Sequence, residues 1–293
     1  MHLIQIIVLA IIQGACELLP VSSSAHVIVA EKLMGLDPSS PEMTMLLVML
    51  HTGTMFAVIV YFWKGWKLDY LASSKSLGNF ATQIVIATFC TGVVGYGLKV
   101  VIEKIFMRGV PHAEIENLFS NLPLIACALA AVGLLIIWAG LREHAGRANV
   151  LVSREGGSEI RANHSVWIGI VQGICLPFRG FSRSGSTIST GLLFGVPKRK
   201  LEEFSFALAV VLTPPVIAKE LLRLLKAHAL SDHASLLHLL GPSLLGMVFS
   251  FFAGLLALKW LSSWLEHGQW KFFGFYCLVA AGGVLAVHFA LPG

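Results

Sequence analysis

Two apolar stretches of this 293-residue chain are broken in the middle by polar residues, and no other feature narrows the fold as far. Residues 2–19 and 22–35 meet at Pro20–Ser24, and residues 164–177 and 183–196 meet in the run PFRGFSRSGS. Each piece is at or below the roughly 17–25 residues a helix needs to cross a bilayer core. Irregular backbone at membrane depth survives only where protein or a watery cavity satisfies its N–H and C=O groups. Each broken stretch is therefore expected to be a re-entrant pair of short helices with a polar tip.

Six unbroken apolar stretches surround them, near 43–63, 79–101, 121–142, 203–226, 239–264 and 271–291. Hydrophobic residues make up 56% of the chain and charged residues 13%, against roughly 25% charged in soluble domains. The expected fold is an all-α polytopic membrane protein, one integral domain over 1–293 with six spanning helices and two re-entrant helix pairs. The net charge of +5 is absorbed by topology, and no basic stripe interleaved with aromatics suggests a nucleic-acid groove. Cys16, Cys90, Cys127, Cys175 and Cys277 lie in or beside apolar stretches without metal-ligand spacing, and read as small core residues. The N-terminus has neither a basic n-region nor an A-x-A site, and is expected to be mature structure.

The broken stretches resemble each other. Gln13-Gly14-x-Cys16 matches Gln172-Gly173-x-Cys175, and Ser22-x-Ser24 matches Ser182-x-Ser184 after one insertion. Three long spans follow each. An odd number of crossings sends the second half into the membrane from the opposite side. Residues 1–142 and 164–293 thus read as inverted-topology repeats, joined by the polar linker 143–163. Such repeats place a polar site near the membrane midplane, where broken helices meet. Lys64, Lys67, Lys75, Arg142, Arg147, Arg154, Arg161, Lys198, Arg199, Lys200 and Lys271 share one face, which the positive-inside rule makes cytoplasmic. The first hairpin and both termini then start from the outer side.

The tips carry the chemistry. An ionisable residue inside a membrane is a functional candidate by default, and Glu17 lies one helical turn after Gln13. A second short helix starting at Ser22 or Ser23 offers free N–H groups and a positive dipole end to an anion. His26 falls on the same helical face as Ser22 and Ser23, within reach of a hydroxyl. At the other tip Ser182, Arg183, Ser184, Gly185, Ser186 and Thr187 open another short helix. A guanidinium beside hydroxyls and exposed N–H groups makes a phosphate cradle, and Arg179 adds a second cation. Together the tips supply what phosphoryl transfer requires: charge neutralisation, positioning and proton handling.

The stretches QGACELLPVSSSAH and RGFSRSGST resemble the two signature motifs of the undecaprenyl-diphosphatase family of bacitracin-resistance membrane phosphatases. HTGT at His51–Thr54 and EEFSFALAVVLTPP at Glu202–Pro215 resemble further family segments. The resemblance implies hydrolysis of undecaprenyl diphosphate to the monophosphate and inorganic phosphate, which recycles a lipid carrier for wall synthesis. It places the protein in the bacterial inner membrane, with its site opening to the periplasmic side. It also implies that Glu17, Ser23, His26 and Arg183 are the catalytic set, and that a divalent cation, Mg2+ or Ca2+, associates with Glu17 and position 13. Two departures stand out. Position 13 is Gln, a weaker ligand for a hard cation than a carboxylate, and the usual Pro-Gly is spread out as Pro177-Phe178-Arg179-Gly180.

Several readings stay open at this level. Ser23 either attacks phosphorus or orients a water. Glu17 is either functional or a structural partner of Arg183. Ser22 and Ser24 read more readily as caps, and helix capping explains Ser186 and Thr187 almost as well as phosphate binding. His51 and Thr54 are expected beside the site, hydrogen-bonding within it. The main rival function is a lipid-carrier transporter or flippase, because inverted repeats with broken helices are also a transporter architecture. Membrane lipids and a polyprenyl diphosphate are the expected partners, and the oligomeric state is open.

Overall fold

The computed structural model describes residues 2–37, 40–106, 118, 121–149, 160–228 and 234–290. Among these residues the chain is helical throughout, with no strand. The helices are α1 (Leu3–Leu18), α2 (Ser23–Leu33), α3 (Pro41–Asp69), α4 (Ser74–Val101), α5 (Leu122–Asn149), α6 (Ala162–Cys175), α7 (Arg183–Leu193), α8 (Lys198–His228), α9 (Ala234–Glu266) and α10 (Trp270–Ala290). A π-helical turn, Ile102–Phe106, continues α4. Among the described residues six helices are long and apolar enough to cross a membrane. The two broken stretches form short helix pairs, α1–α2 and α6–α7.

Local sequence fixes the ends. Ser40 caps α3 by accepting from Met43 N, with Pro41 at the first position, and Ser73 caps α4 by accepting from Ser76 N. α1 stops at Leu18 because Pro20 forces the residue before it out of the helical region. Leu19 is extended accordingly, at φ −75° and ψ 153°. The spanning helices run past their expected ends at the aqueous side. α3 continues to Asp69, and α5 continues to Asn149, through the first residues of the expected linker 143–163. Of that linker, 150–159 lies outside the described residues, and Arg154 with it.

Packing ties each short pair to the other half of the chain. α1 packs on α9 and α6 packs on α4, while α3 meets α8 and α9, and α5 meets α10. Lipid tails are as apolar as Leu, so close van der Waals approach and interhelical hydrogen bonds must hold such contacts. Glycine permits the approach. A Cβ on Gly53 would sit 2.3 Å from Met247 O, and one on Gly169 would sit 2.4 Å from Ala87 O. Thr91 Oγ1 donates to Gly169 O (3.1 Å) and Ser250 Oγ to Leu50 O (2.9 Å) across the same seams. Large apolar side chains face outward along the spans, among them Phe89, Tyr96, Leu256 and Val279, as a lipid-facing surface requires.

One end of the bundle is stapled by charge. Asp69 accepts from Arg199 (3.0 Å) and Lys200 (2.8 Å), Arg199 also pairs with Glu203 (3.0 Å), and Lys200 lies over the Tyr70 ring. The basic run Lys198–Lys200 therefore joins α3 to α8 as well as supplying positive charge. Lys198 Nζ reaches Leu265 O at the end of α9.

Candidate active site

The tips of the two short pairs touch. Gly180 N donates to Ser24 Oγ (3.4 Å) and Ser184 Oγ to Leu19 O (3.3 Å). Gly180 holds φ 102°, and a Cβ there would meet Ile125 O at 2.5 Å, so both its backbone conformation and its position call for glycine. A cavity of about 320 Å³ opens where the tips meet. Gln13, Glu17, Ser22, Ser23, Ser24, Arg179, Ser182, Arg183 and Ser184 line it, with His51 and Leu47 of α3 and Val27 and Glu31 of α2.

Glu17 is the hub. Its Oε1 accepts from Arg183 Nη2 at 2.7 Å, joining the two halves of the chain. Its Oε2 accepts from Ser23 Oγ at 2.5 Å and from Gln13 Nε2 at 3.2 Å, and His51 Nε2 lies 3.9 Å from the same oxygen. Gln13 thus orients Glu17 from one helical turn away. His51 is itself oriented by Nδ1 bonding to Leu47 O at 2.8 Å, which leaves Nε2 toward Glu17.

Ser23 is the first residue of α2, and Ser22 is its N-cap at φ 66°, without a side-chain cap. A non-glycine residue at positive φ is strained. Its carbonyl is tied down by His26 Nδ1 at 2.7 Å. The uncapped start of α2 presents N–H groups at the tip. Arg183 is the first residue of α7, whose N-cap Ser182 accepts from Gly185 N.

Not every expected site residue reaches the cavity. The anticipated contact of His26 with a serine hydroxyl is replaced by Ser22 O and, at Nε2, by Tyr276 OH (2.8 Å), on whose ring the imidazole stacks. α2 is rotated so that position 26 faces α10, while 23, 27 and 31 face the cavity. Gly185, Ser186 and Thr187 pack inward: Ser186 meets Cys175 Sγ, and Thr187 Oγ1 meets Ser205 Oγ at 2.6 Å. Thr54 is buried and donates to His51 O at 2.9 Å, one step behind the cavity wall. Glu31 was not among the site residues expected from sequence. It carried a signal all the same: an acid two four-residue steps after Ser23 on an apolar helix.

A family profile described as "Bacitracin resistance protein BacA" matches residues 6–283. The chain belongs to the BacA family. This BacA member is 58% identical over 290 residues to undecaprenyl-diphosphatase 2 of Acinetobacter baylyi, covering 98% of each chain. It is 32% identical to an undecaprenyl-diphosphatase of Desulfosudis oleivorans (97% of this chain, 98% of the relative) and 28% identical to one of Bacteroides fragilis (98% of each). These BacA relatives match essentially end to end, so both tip motifs and every helix fall inside the likeness.

Proposed function

We propose that this protein hydrolyses undecaprenyl diphosphate to undecaprenyl phosphate and inorganic phosphate in the bacterial inner membrane. The observation that carries the reading is the unbroken line Arg183–Glu17–Ser23, at 2.7 and 2.5 Å, assembled from both helix pairs in one cavity. BacA membership and the names of the relatives support it. No observation favours the transporter alternative. In this reading the pairs α1–α2 and α6–α7 are re-entrant, entering from opposite leaflets as inverted repeats, with the cavity open to the periplasmic side. The isoprenoid tail lies among the lipid-facing helices, and the diphosphate enters the cavity.

Catalysis then follows from the placement of groups. Arg183 and the α2 N-terminus hold the terminal phosphate and absorb the charge that develops in the transition state. Ser23 Oγ attacks the terminal phosphorus, its proton passes to Glu17 Oε2, and the bond to the bridging oxygen breaks to release the lipid monophosphate. A water next attacks the phosphoserine. His51 takes the water's proton, and Glu17 returns one to Ser23 Oγ as inorganic phosphate leaves. His26 supports this indirectly, by pinning the strained carbonyl of Ser22 beside the nucleophile.

A resident divalent cation does not fit the donor set. Glu17 is the one carboxylate at the hub, guanidinium, hydroxyl and amide donors occupy its oxygens, and the cavity's other carboxylate, Glu31, lies two helical turns further along α2. Among the described residues no group of three His, Cys, Asp or Glu is placed to hold a metal. A cation is expected to travel with the substrate's phosphates rather than to reside on the protein.

The decisive experiment is phosphate release from a C55 diphosphate by detergent-purified protein. Wild type should release phosphate and Arg183→Ala should lose about 10²–10³-fold. A wild type that binds the lipid but releases none would overturn the reading in favour of transport. Labelled phosphoryl trapped on Ser23, and lost in Ser23→Ala, would establish the covalent step; undiminished turnover by Ser23→Ala would exclude it.

A further inference from the structure

Glu31 is the least explained group in the cavity wall. It is 2% exposed, its Oε1 has no hydrogen-bond partner, and it lines the same space as Ser23. A carboxylate in a diphosphate pocket repels the ligand, so its place there calls for a reason. Eight residues separate it from Ser23, about 12 Å of helix rise away from the tips. Arg179 lines the same cavity and is the basic side chain whose field reaches it. This arginine is exposed, lines the cavity, and sits in the turn closed by Phe181 N to Phe178 O (3.1 Å). The neighbouring Gly180 anchors that turn to Ser24. The turn's backbone is thus held on two sides, and Arg179 reaches the cavity through its long side chain.

The cavity therefore holds two acids from the first helix pair and two arginines from the second: Glu17, ion-paired with Arg183, and Glu31, which shares the cavity wall with Arg179. The first surrounds the reacting serine. The second lies further along α2, in the same cavity.

We propose that Glu31 and Arg179 form an exchangeable latch that makes the site prefer a lipid diphosphate over the lipid monophosphate it becomes. The inference rests on the phosphatase reading and deepens it. Arg179 moves from Glu31 to the phosphate nearest the lipid when the doubly phosphorylated headgroup enters, because a guanidinium binds phosphate through paired charge-assisted bonds. Glu31 competes for that guanidinium throughout. A ligand with two phosphates, one of them held by Arg183, wins the competition; a lone monophosphate loses it. After cleavage Arg179 returns to Glu31 and the product is released. Arg179 is the phosphate contact, and Glu31 is a positioning residue that acts through it.

The test measures equilibrium binding of farnesyl diphosphate, farnesyl monophosphate and inorganic phosphate to the detergent-solubilised full chain in a Ser23→Ala background, which the mechanism above leaves unable to cleave, with thermal midpoint and monodisperse elution as folding controls. Glu31→Gln should tighten monophosphate binding about tenfold, within the usual range of coupling between sites. Arg179→Ala should weaken diphosphate binding by a similar factor, with Arg179→Lys between it and wild type. Glu31→Gln/Arg179→Ala should match Arg179→Ala alone, because Glu31 has nothing left to act through. Monophosphate affinity unchanged in a folded Glu31→Gln, or additive effects in the double variant, would overturn the latch. Should Glu31→Gln not fold, exposed Arg179→Ala carries the test: unchanged diphosphate affinity there refutes the proposal. Inorganic phosphate separates the sources of the chemistry, since equal effects on it would mean an anion site indifferent to lipid, against the proposal. Binding is read without turnover, so a chain that discriminates but never releases phosphate would sink the hydrolase reading and leave the latch standing.

Discussion

Both oxygens of Glu17 are engaged before any substrate arrives, and this makes the residue's two duties separable. The Arg183–Glu17 pair is mostly buried, at 24% and 16% side-chain exposure, and breaking a buried pair from one side costs about 3–5 kcal/mol. Arg183→Ala should therefore lower the thermal midpoint as well as turnover, while Arg183→Met combined with Glu17→Gln should regain the midpoint and stay inactive. Differential scanning fluorimetry beside phosphate release reads both. The two imidazoles should also part company. His51→Ala, beside the Glu17 carboxylate, should lower kcat by about 10²-fold, as removal of an acid–base group does. Tyr276→Phe, which removes the partner of His26, should cost about 1 kcal/mol of stability and leave kcat within about threefold, since His26 acts on the Ser22 backbone.

At the scale of helices, the seams between halves depend on missing side chains. Gly53→Ala drives a methyl into Met247 O on α9, and neither backbone can give way without opening the α3–α9 contact. Gly97, on the same kind of helix, has nothing within 4 Å of its Cβ position. Gly53→Ala should reduce the yield of folded protein in detergent and Gly97→Ala should not, with fluorescence-detected size exclusion as the measure. Sequence made these elements legible because a bilayer allows so few structures: apolar length and two polar breaks were enough to place every helix within a few residues. The ends shifted where charged residues such as Lys64, Arg142 and Lys198–Lys200 stopped the apolar count but not the helix. Rotation was not legible. Nothing in the spacing of Ser23, His26 and Glu31 says which face of α2 meets α10 and which meets the α6–α7 loop, so His26 was expected at the cavity and Glu31 was not.

The molecule as a whole has a basic, ion-paired end around Asp69, Arg199 and Lys200, and a cavity reached from the tip of each short pair. If the basic end is cytoplasmic, Ser73→Cys in a cysteine-free background should resist a membrane-impermeant maleimide in permeabilised-outer-membrane cells, and Ser40→Cys should react. The reverse labelling would invert the orientation. The contact between Glu17 and Arg183 also has a bearing on how the protein is made. A ribosome has emitted well over half the chain before Arg183 appears, so the nascent first hairpin holds an acid whose counter-ion does not yet exist. A solitary carboxylate is poorly tolerated in hydrocarbon, so if the first pair is re-entrant, as proposed, it has to wait near the headgroups and sink to its final depth only as the later half docks. On that reading the contact that joins the two halves forms late, and a chain interrupted before Arg183 is born without it.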